Sequence, residues 1–234
     1  MNYTDLFNAI QSYSENNFPA FDLSDGSQDT TTEQINRFIT QAEQRIYNTV
    51  QFPSLRKNMT GNIQSGNKYL KAPDDFLAVY SLAVIDSSGN YEYLLNKDVN
   101  YIRQSYPNPT TDTGIPKYYA LFGPALAGSA ITDELTFILG PTPDAAYTVE
   151  LHFYYYPESI TTAADGRTWL GDNFDTVLLY GCLVEAYTYM KGEQDVMAFY
   201  EAKYKEALAQ AKRLGDGMER QDAYRSGQYR QAVT

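Results

Sequence analysis

Residues 135–156, LTFILGPTPDAAYTVELHFYYY, decide the fold. Leu135, Phe137 and Leu139 alternate with Thr136 and Ile138. Gly140, Pro141, Pro143 and Asp144 interrupt the run. Tyr147, Val149, Leu151, Phe153 and Tyr155 then alternate with Thr148, Glu150, His152 and Tyr154. A period of two in β-branched and aromatic residues reads as strand. The turn formers between the two runs predict an antiparallel hairpin, closed by Pro157, which has no N–H to give a ladder.

Upstream of this stretch the pattern is also β-like. Residues 56–64 read as a polar strand before a Ser65-Gly66-Asn67 turn, and residues 76–85 as a buried strand. Residues 91–95 are its hairpin partner across Ser87-Ser88-Gly89-Asn90. Asn96 or Asp98 caps a short helix to Tyr106, residues 117–122 form another strand, and residues 123–132 read as a loop of small residues. Beyond these limits the period becomes helical. Tyr3, Leu6, Phe7, Ile10 and Tyr13 make one stripe. Ile35, Phe38, Ile39, Ala42, Ile46 and Val50 make a second, opened by a Thr30/Glu33 capping box. That second helix carries Gln34, Arg37, Gln41, Gln44, Arg45 and Asn48 on its other face. Residues 173–190, with Asp172 as N-cap, are apolar nearly all round, which predicts a helix buried on several sides. Residues 193–214 form a last helix, joined to it by the break at Lys191-Gly192.

The expected fold class is therefore α+β. The N- and C-terminal helices (residues 1–52 and 158–214) form one helical bundle, an antiparallel β domain (residues 53–157) is inserted between them, and an extended C-terminal arm covers residues 215–234. In that arm Tyr224 and Tyr229 are five residues apart, as are Arg220, Arg225 and Arg230. That spacing makes no helical stripe, so the arm reads as an irregular segment whose Tyr rings and Arg forks order on a partner.

Composition bounds the function. The net charge of −11 opposes clamping of nucleic acid, which requires Lys and Arg, yet it suits a wall that a polyanion must pass without sticking. Tyr occurs 22 times against one Trp, and an apolar ring with a polar tip suits half-buried contacts. The first residues carry no basic stretch followed by an apolar one, so no secretory signal is read, and no run reaches the roughly 20 apolar residues of a membrane span. The single cysteine, Cys182, allows no internal disulfide.

The same residues offer little catalysis. His152 is the only histidine and lies mid-strand among aromatics, and Cys182 lies on an apolar helix. They read as a strand-face histidine and an inert core thiol rather than a dyad. Histidine and cysteine are too few for a metal cluster, and no glycine-rich phosphate loop or GxSxG is present. Asp74, Asp75, Asp172 and Asp175 leave a carboxylate-only hydrolase open, although Asp beside Pro, Gly and Asn is what turns and caps use. Glu185, within the apolar helix, calls for a partner such as Arg45. No catalytic residue, cofactor or metal is expected.

The segments QAEQRIYNTVQFPSLRKNMTG, FLAVYSLAVID, YEYLLNKDVNYIR, GIPKYYALF, TFILGPTPDAAYTVELHFYYYPESI and WLGDNFDTVLLYGCLVEAYTYMKGE occur in this order between residues 41 and 193. Together they resemble head-to-tail adaptor (connector) proteins of short-tailed bacteriophages. The resemblance implies a structural protein of the virion neck, made in the bacterial cytoplasm. It implies a ring of twelve copies between portal protein and tail nozzle, through which DNA passes without specific binding. It implies no catalysis and no membrane. Arg220, Tyr224, Arg225, Tyr229 and Arg230 are then the expected portal-docking residues. The rival reading is a Tyr-rich receptor- or carbohydrate-binding tail module.

Overall fold

The computed structural model describes residues 1–127 and 130–225. The chain divides between a helical unit, made of Met1–Leu55 with the chain from Tyr156 onward, and a β unit, Arg56–Tyr155. In the helical unit α1 (Tyr3–Ser14) starts where the Asn2 side-chain oxygen accepts the Asp5 N–H at 2.8 Å. A small hairpin of β1 (Phe21–Asp22) and β2 (Gln28–Asp29) interrupts the polar loop that follows. α2 (Thr31–Tyr47) carries the complete capping box: Thr30 Oγ1 accepts the Glu33 N–H, and Glu33 Oε2 accepts the Thr30 N–H. Its apolar stripe is fully buried at Ile35, Ile39, Ala42 and Ile46. Gln34, expected on the polar face, is instead buried and donates to the carbonyls of Pro19 and Asp29, because the loop folds back over it.

The β unit holds β3 (Arg56–Ile63), β4 (Tyr69–Lys71), β5 (Ala78–Ile85), β6 (Tyr91–Tyr93), β7 (Leu95–Asn96), α3 (Val99–Ser105), β8 (Tyr118–Ala127), β9 (Ala130–Gly140) and β10 (Tyr147–Tyr154). The strands make two four-stranded sheets, ordered β3-β10-β5-β6 and β4-β9-β8-β7. All neighbours are antiparallel except β7 and β8, which pair in parallel over two residues. One buried cluster takes Ile63, Leu82, Val84, Val149, Leu151 and Phe153 from the first sheet and Tyr119, Phe137 and Leu139 from the second. The unit is therefore a β-sandwich. Asp98 caps α3, whose Ile102 packs with Ala120 and Ile138 on the second sheet.

This arrangement corrects the expected hairpin of residues 135–156. β9 and β10 are both strands, but they lie in different sheets: β9 pairs with β4 and β8, and β10 with β3 and β5. Alternating residues of both strands enter the same core, from opposite sides. A period of two states which face is buried and not whether two strands lie side by side or face to face. The loop expected at residues 123–132 is corrected as well, since β8 and β9 pair antiparallel out to Ala127 opposite Ala130.

The chain leaves the β unit beside where it came in: Arg56, the first residue of β3, stands opposite Tyr154 on β10. Back in the helical unit, α4 (Trp169–Asn173) begins at Thr168, whose hydroxyl accepts the Gly171 N–H at 3.2 Å. α5 (Asp175–Met190) follows without a side-chain cap. Asp172, expected as N-cap, lies inside α4 and pairs with Arg167 at 3.0 Å. α5 buries Val177, Leu178, Cys182, Leu183 and Ala186 and packs against α1, α2, α4 and α6 (Gln194–Arg225). Fully burying each such Val or Leu stabilises the fold by roughly 1.5–3 kcal/mol.

α6 runs to Arg225, past the expected end at residue 214, and so corrects the extended path expected for residues 215–225. Gly215 is not a stop signal. A Cβ there would lie 2.9 Å from the Gln51 carbonyl oxygen, so glycine lets the helix approach the chain that follows α2. Beyond it Met218, Glu219, Arg220, Gln221 and Ala223 favour helix enough to carry Gly217.

Candidate interaction surfaces

The residues with chemical potential are divided between the two structural units. His152 projects from the outer face of β10 and meets the Tyr80 ring edge-on at 4.9 Å between ring centres. Burial, and secondarily the Arg56 charge, hold its imidazole below the ordinary value. Cys182 is wholly buried in α5, and burial first, then Glu43 and Glu185, push its thiol well above the ordinary value. A thiol held protonated is a poor nucleophile and metal ligand. His152 belongs to the β unit and Cys182 to the helical unit. Among the described residues no group of three or more His, Cys, Asp or Glu side chains could hold a metal ion.

The acidic candidates are engaged structurally. Asp75 accepts from Lys57 at 2.7 Å, Asp74 pairs with Lys71 at 3.3 Å, and Asp175 accepts the Thr176 N–H. Glu185 meets Arg45 at 3.2 Å, and the Arg45 guanidinium lies over the Tyr204 ring. Glu185 is only half-buried, however. The buried carboxylate is Glu43, 2% exposed, which accepts the Ile160 N–H at 3.0 Å. Burial raises its pKa above the ordinary carboxylate range, against the opposing hydrogen bonds from Ile160 and Ser159. Sequence reasoning passed over Glu43, although a signal was there: it lies four residues after Ile39 and three before Ile46, on the apolar stripe of α2.

What the surface does offer is aromatic. On the outer face of the first sheet Tyr91 and Tyr93 stack at 6.1 Å, and the Tyr91 hydroxyl donates to Glu150. Tyr80, His152 and Tyr154 continue that face in half-buried positions. On the helical unit the Tyr187 and Tyr200 hydroxyls both donate to the Tyr13 carbonyl, beside the exposed Phe199. The β1–β2 hairpin holds Phe21 and Leu23 in exposed positions. Exposed rings anchored by their hydroxyls are suited to protein contacts, since little side-chain freedom remains to be lost.

A groove of about 490 Å³ opens between β3, at the edge of the first sheet, and β4, at the edge of the second. Met59, Gly61, Leu70, Ala72, Val149 and Leu151 form its apolar floor, and Lys57, Lys71, Asp74 and Asp75 stand at its rim. No motif marks this groove, because it exists only where two strands distant in sequence face each other.

Of the expected docking residues, Arg220, Tyr224 and Arg225 lie on the last turns of α6, while Tyr229 and Arg230 fall outside the described residues. No described helix is long and apolar enough to cross a membrane. No curated protein matches the chain. A family model described as SU10 adaptor protein matches residues 1–231.

Proposed function

The chain belongs to the SU10 adaptor protein family, and from that membership we propose that it is the head-to-tail adaptor of a short-tailed bacteriophage. It is a non-catalytic structural protein of the virion neck, made in the host bacterial cytoplasm. Twelve copies form a ring whose helical bundles and β domains stand between the portal protein and the tail nozzle, and DNA passes through it without specific binding. The family match over residues 1–231 is the observation that carries this reading, because it takes in both structural units.

Two further features support it. The surface presents anchored aromatic rings on both units, as extensive subunit contacts require. The acidic balance favours free passage of a polyanion. Portal docking falls to the C-terminal end, with Arg220, Tyr224, Arg225, Tyr229 and Arg230 as contacts. Each contact is weak alone and effective when repeated around a ring.

The test mixes the purified chain with portal rings and follows mass by size-exclusion chromatography with light scattering. Portal-bound rings are expected, and deleting residues 217–234 should abolish binding while leaving the circular dichroism of the remaining fold. A chain that ignores portal and binds glycan as a monomer overturns the reading. So does tight, salt-sensitive binding to duplex DNA.

A further inference from the structure

The longest strand pair of the β unit outruns its own sheet. β8 and β9 pair from Tyr118 opposite Gly140 out to Ala127 opposite Ala130. Beside them β4 stops at Lys71, opposite Thr136, and β7 stops at Asn96, opposite Tyr119. Beyond these points the described residues of β8 and β9 form a two-stranded ribbon with no third strand alongside. Its sequence from residue 123, GPALAGSAITDEL, carries no charge before Asp133. Gly123 at its base has φ +104°, its carbonyl accepts from Thr136 Oγ1 at 2.8 Å, and the register shifts three times between Leu121 and Leu126. Such bulges bend and re-aim a strand. A two-stranded ribbon alone is marginal in water.

The same unit carries an open strand edge beside a groove. β3 pairs along all eight of its residues with β10 and, among the described residues, has no strand on its other edge. An open edge of that length is a template for another strand, and β3 has neither proline nor a break in register to guard it. Beside the edge lies the apolar groove. Met59 sits on the core-facing side of β3, opposite Leu151, yet is 48% exposed, because the facing β4 is only three residues long.

We propose that the β8–β9 ribbon of one copy docks along β3 of a second copy, adding to its β3-β10-β5-β6 sheet and covering its apolar groove. This inference rests on the ring reading and names one interface of that ring. The occupant is a second copy because the two surfaces match in chemistry and number. A ribbon sequence without charge from residue 123 to residue 132 meets an apolar floor, and every chain carries one of each on the same unit. At about 3.4 Å per residue the outer arm, residues 130–135, spans roughly 20 Å, within the roughly 27 Å of β3. Contact between two different patches is head-to-tail, and it closes into a ring when the rotation between copies allows.

The test follows mass by analytical ultracentrifugation of the full chain up to about millimolar concentration. Wild type should associate. A ribbon variant (Leu126→Asp with Ile131→Asp) and a groove variant (Met59→Asp) should each weaken association at least tenfold with unchanged circular dichroism. Mixing the two variants should restore one intact interface and give a heterodimer and nothing larger. Independently of folding defects, a chain bearing Thr60→Cys and Thr132→Cys should give a ladder of multimers with a short bismaleimide, since Cys182 is buried. A wild type that stays monomeric, variants that associate as wild type does, a mixture without heterodimer, or a cysteine pair without a ladder each overturns the proposal. So does a variant that keeps self-association and loses only portal binding, which would make the portal the occupant. Portal binding by wild type judges the adaptor reading separately.

Discussion

The helical unit is tied together at its helix starts by residues near one another in sequence, and the β unit by residues far apart. Asn2 with Asp5, Thr30 with Glu33 and Thr168 with Gly171 each close a cap over three residues. In the β unit Val149 stands opposite Gly61 on one side and Val84 on the other, and Phe153 shares a cluster with Phe76 and Phe137. The charges differ too. The helical unit contains 11 Lys and Arg against 19 Asp and Glu, the β unit 7 against 10. Most of the acidic excess thus sits with the helices. The β unit, nearer neutrality, is the part better suited to meeting copies of itself at close range.

The sharpest way to break this contrast is in the shared core. Phe153→Ala should cost about 3–5 kcal/mol in urea unfolding, because a fully buried ring leaves a hole lined by both sheets. A cost no larger than that of a lost helix cap would show that the sandwich core is not what holds the β unit. The next effect has the opposite sign. The Tyr204 hydroxyl on α6 is buried without a hydrogen-bond partner among the described residues. Tyr204→Phe should therefore raise helical-unit stability by about 1–2 kcal/mol in the same measurement. Thr30→Ala, which removes the capping box, should cost about 1 kcal/mol, read as a fall in the urea midpoint at constant slope.

The mildest test is pH. Burial raises the Glu43 pKa in the folded chain. Below the ordinary carboxylate range both states hold the proton. As pH rises the unfolded chain releases it first, so stability falls until the folded carboxyl has titrated, and then levels. Glu43→Gln keeps an acceptor for the Ile160 N–H and loses this titration. Its stability relative to the parent should climb through that pH window, and a flat difference between pH 4 and 8 would deny that Glu43 is the group involved.

The contrast also explains what the sequence disclosed. The spacing of Ile35, Ile39, Ala42 and Ile46 and the Thr30/Glu33 pair locate α2, because a helix satisfies its hydrogen bonds within four residues. The Arg45 partner of Glu185 was legible for a related reason, since a charge on an apolar helix demands one. Strand existence was equally plain at residues 135–139 and 147–155, whereas strand partners were not. Phe137 and Val149 alternate identically whether they share a sheet or face each other. The groove and the projecting ribbon were illegible for the same cause, being consequences of strand lengths, β4 short and β9 long. The helix end expected at residue 214 was misplaced because Gly215, which admits a neighbouring chain, looks in sequence the same as a glycine that ends a helix.

The pairing of Arg56 with Tyr154 has a consequence for heredity and engineering. A unit whose first residue is the ladder partner of its next-to-last can be transplanted, since one short bridge from Leu55 to Tyr156 closes the gap it leaves. Genes encoding such chains can exchange the insert as a cassette and retain their helices. A laboratory can do the same, joining residue 155 to residue 56 and opening new termini at a turn such as Ser88-Gly89. The helices and the sandwich are thereby free to diverge at different rates.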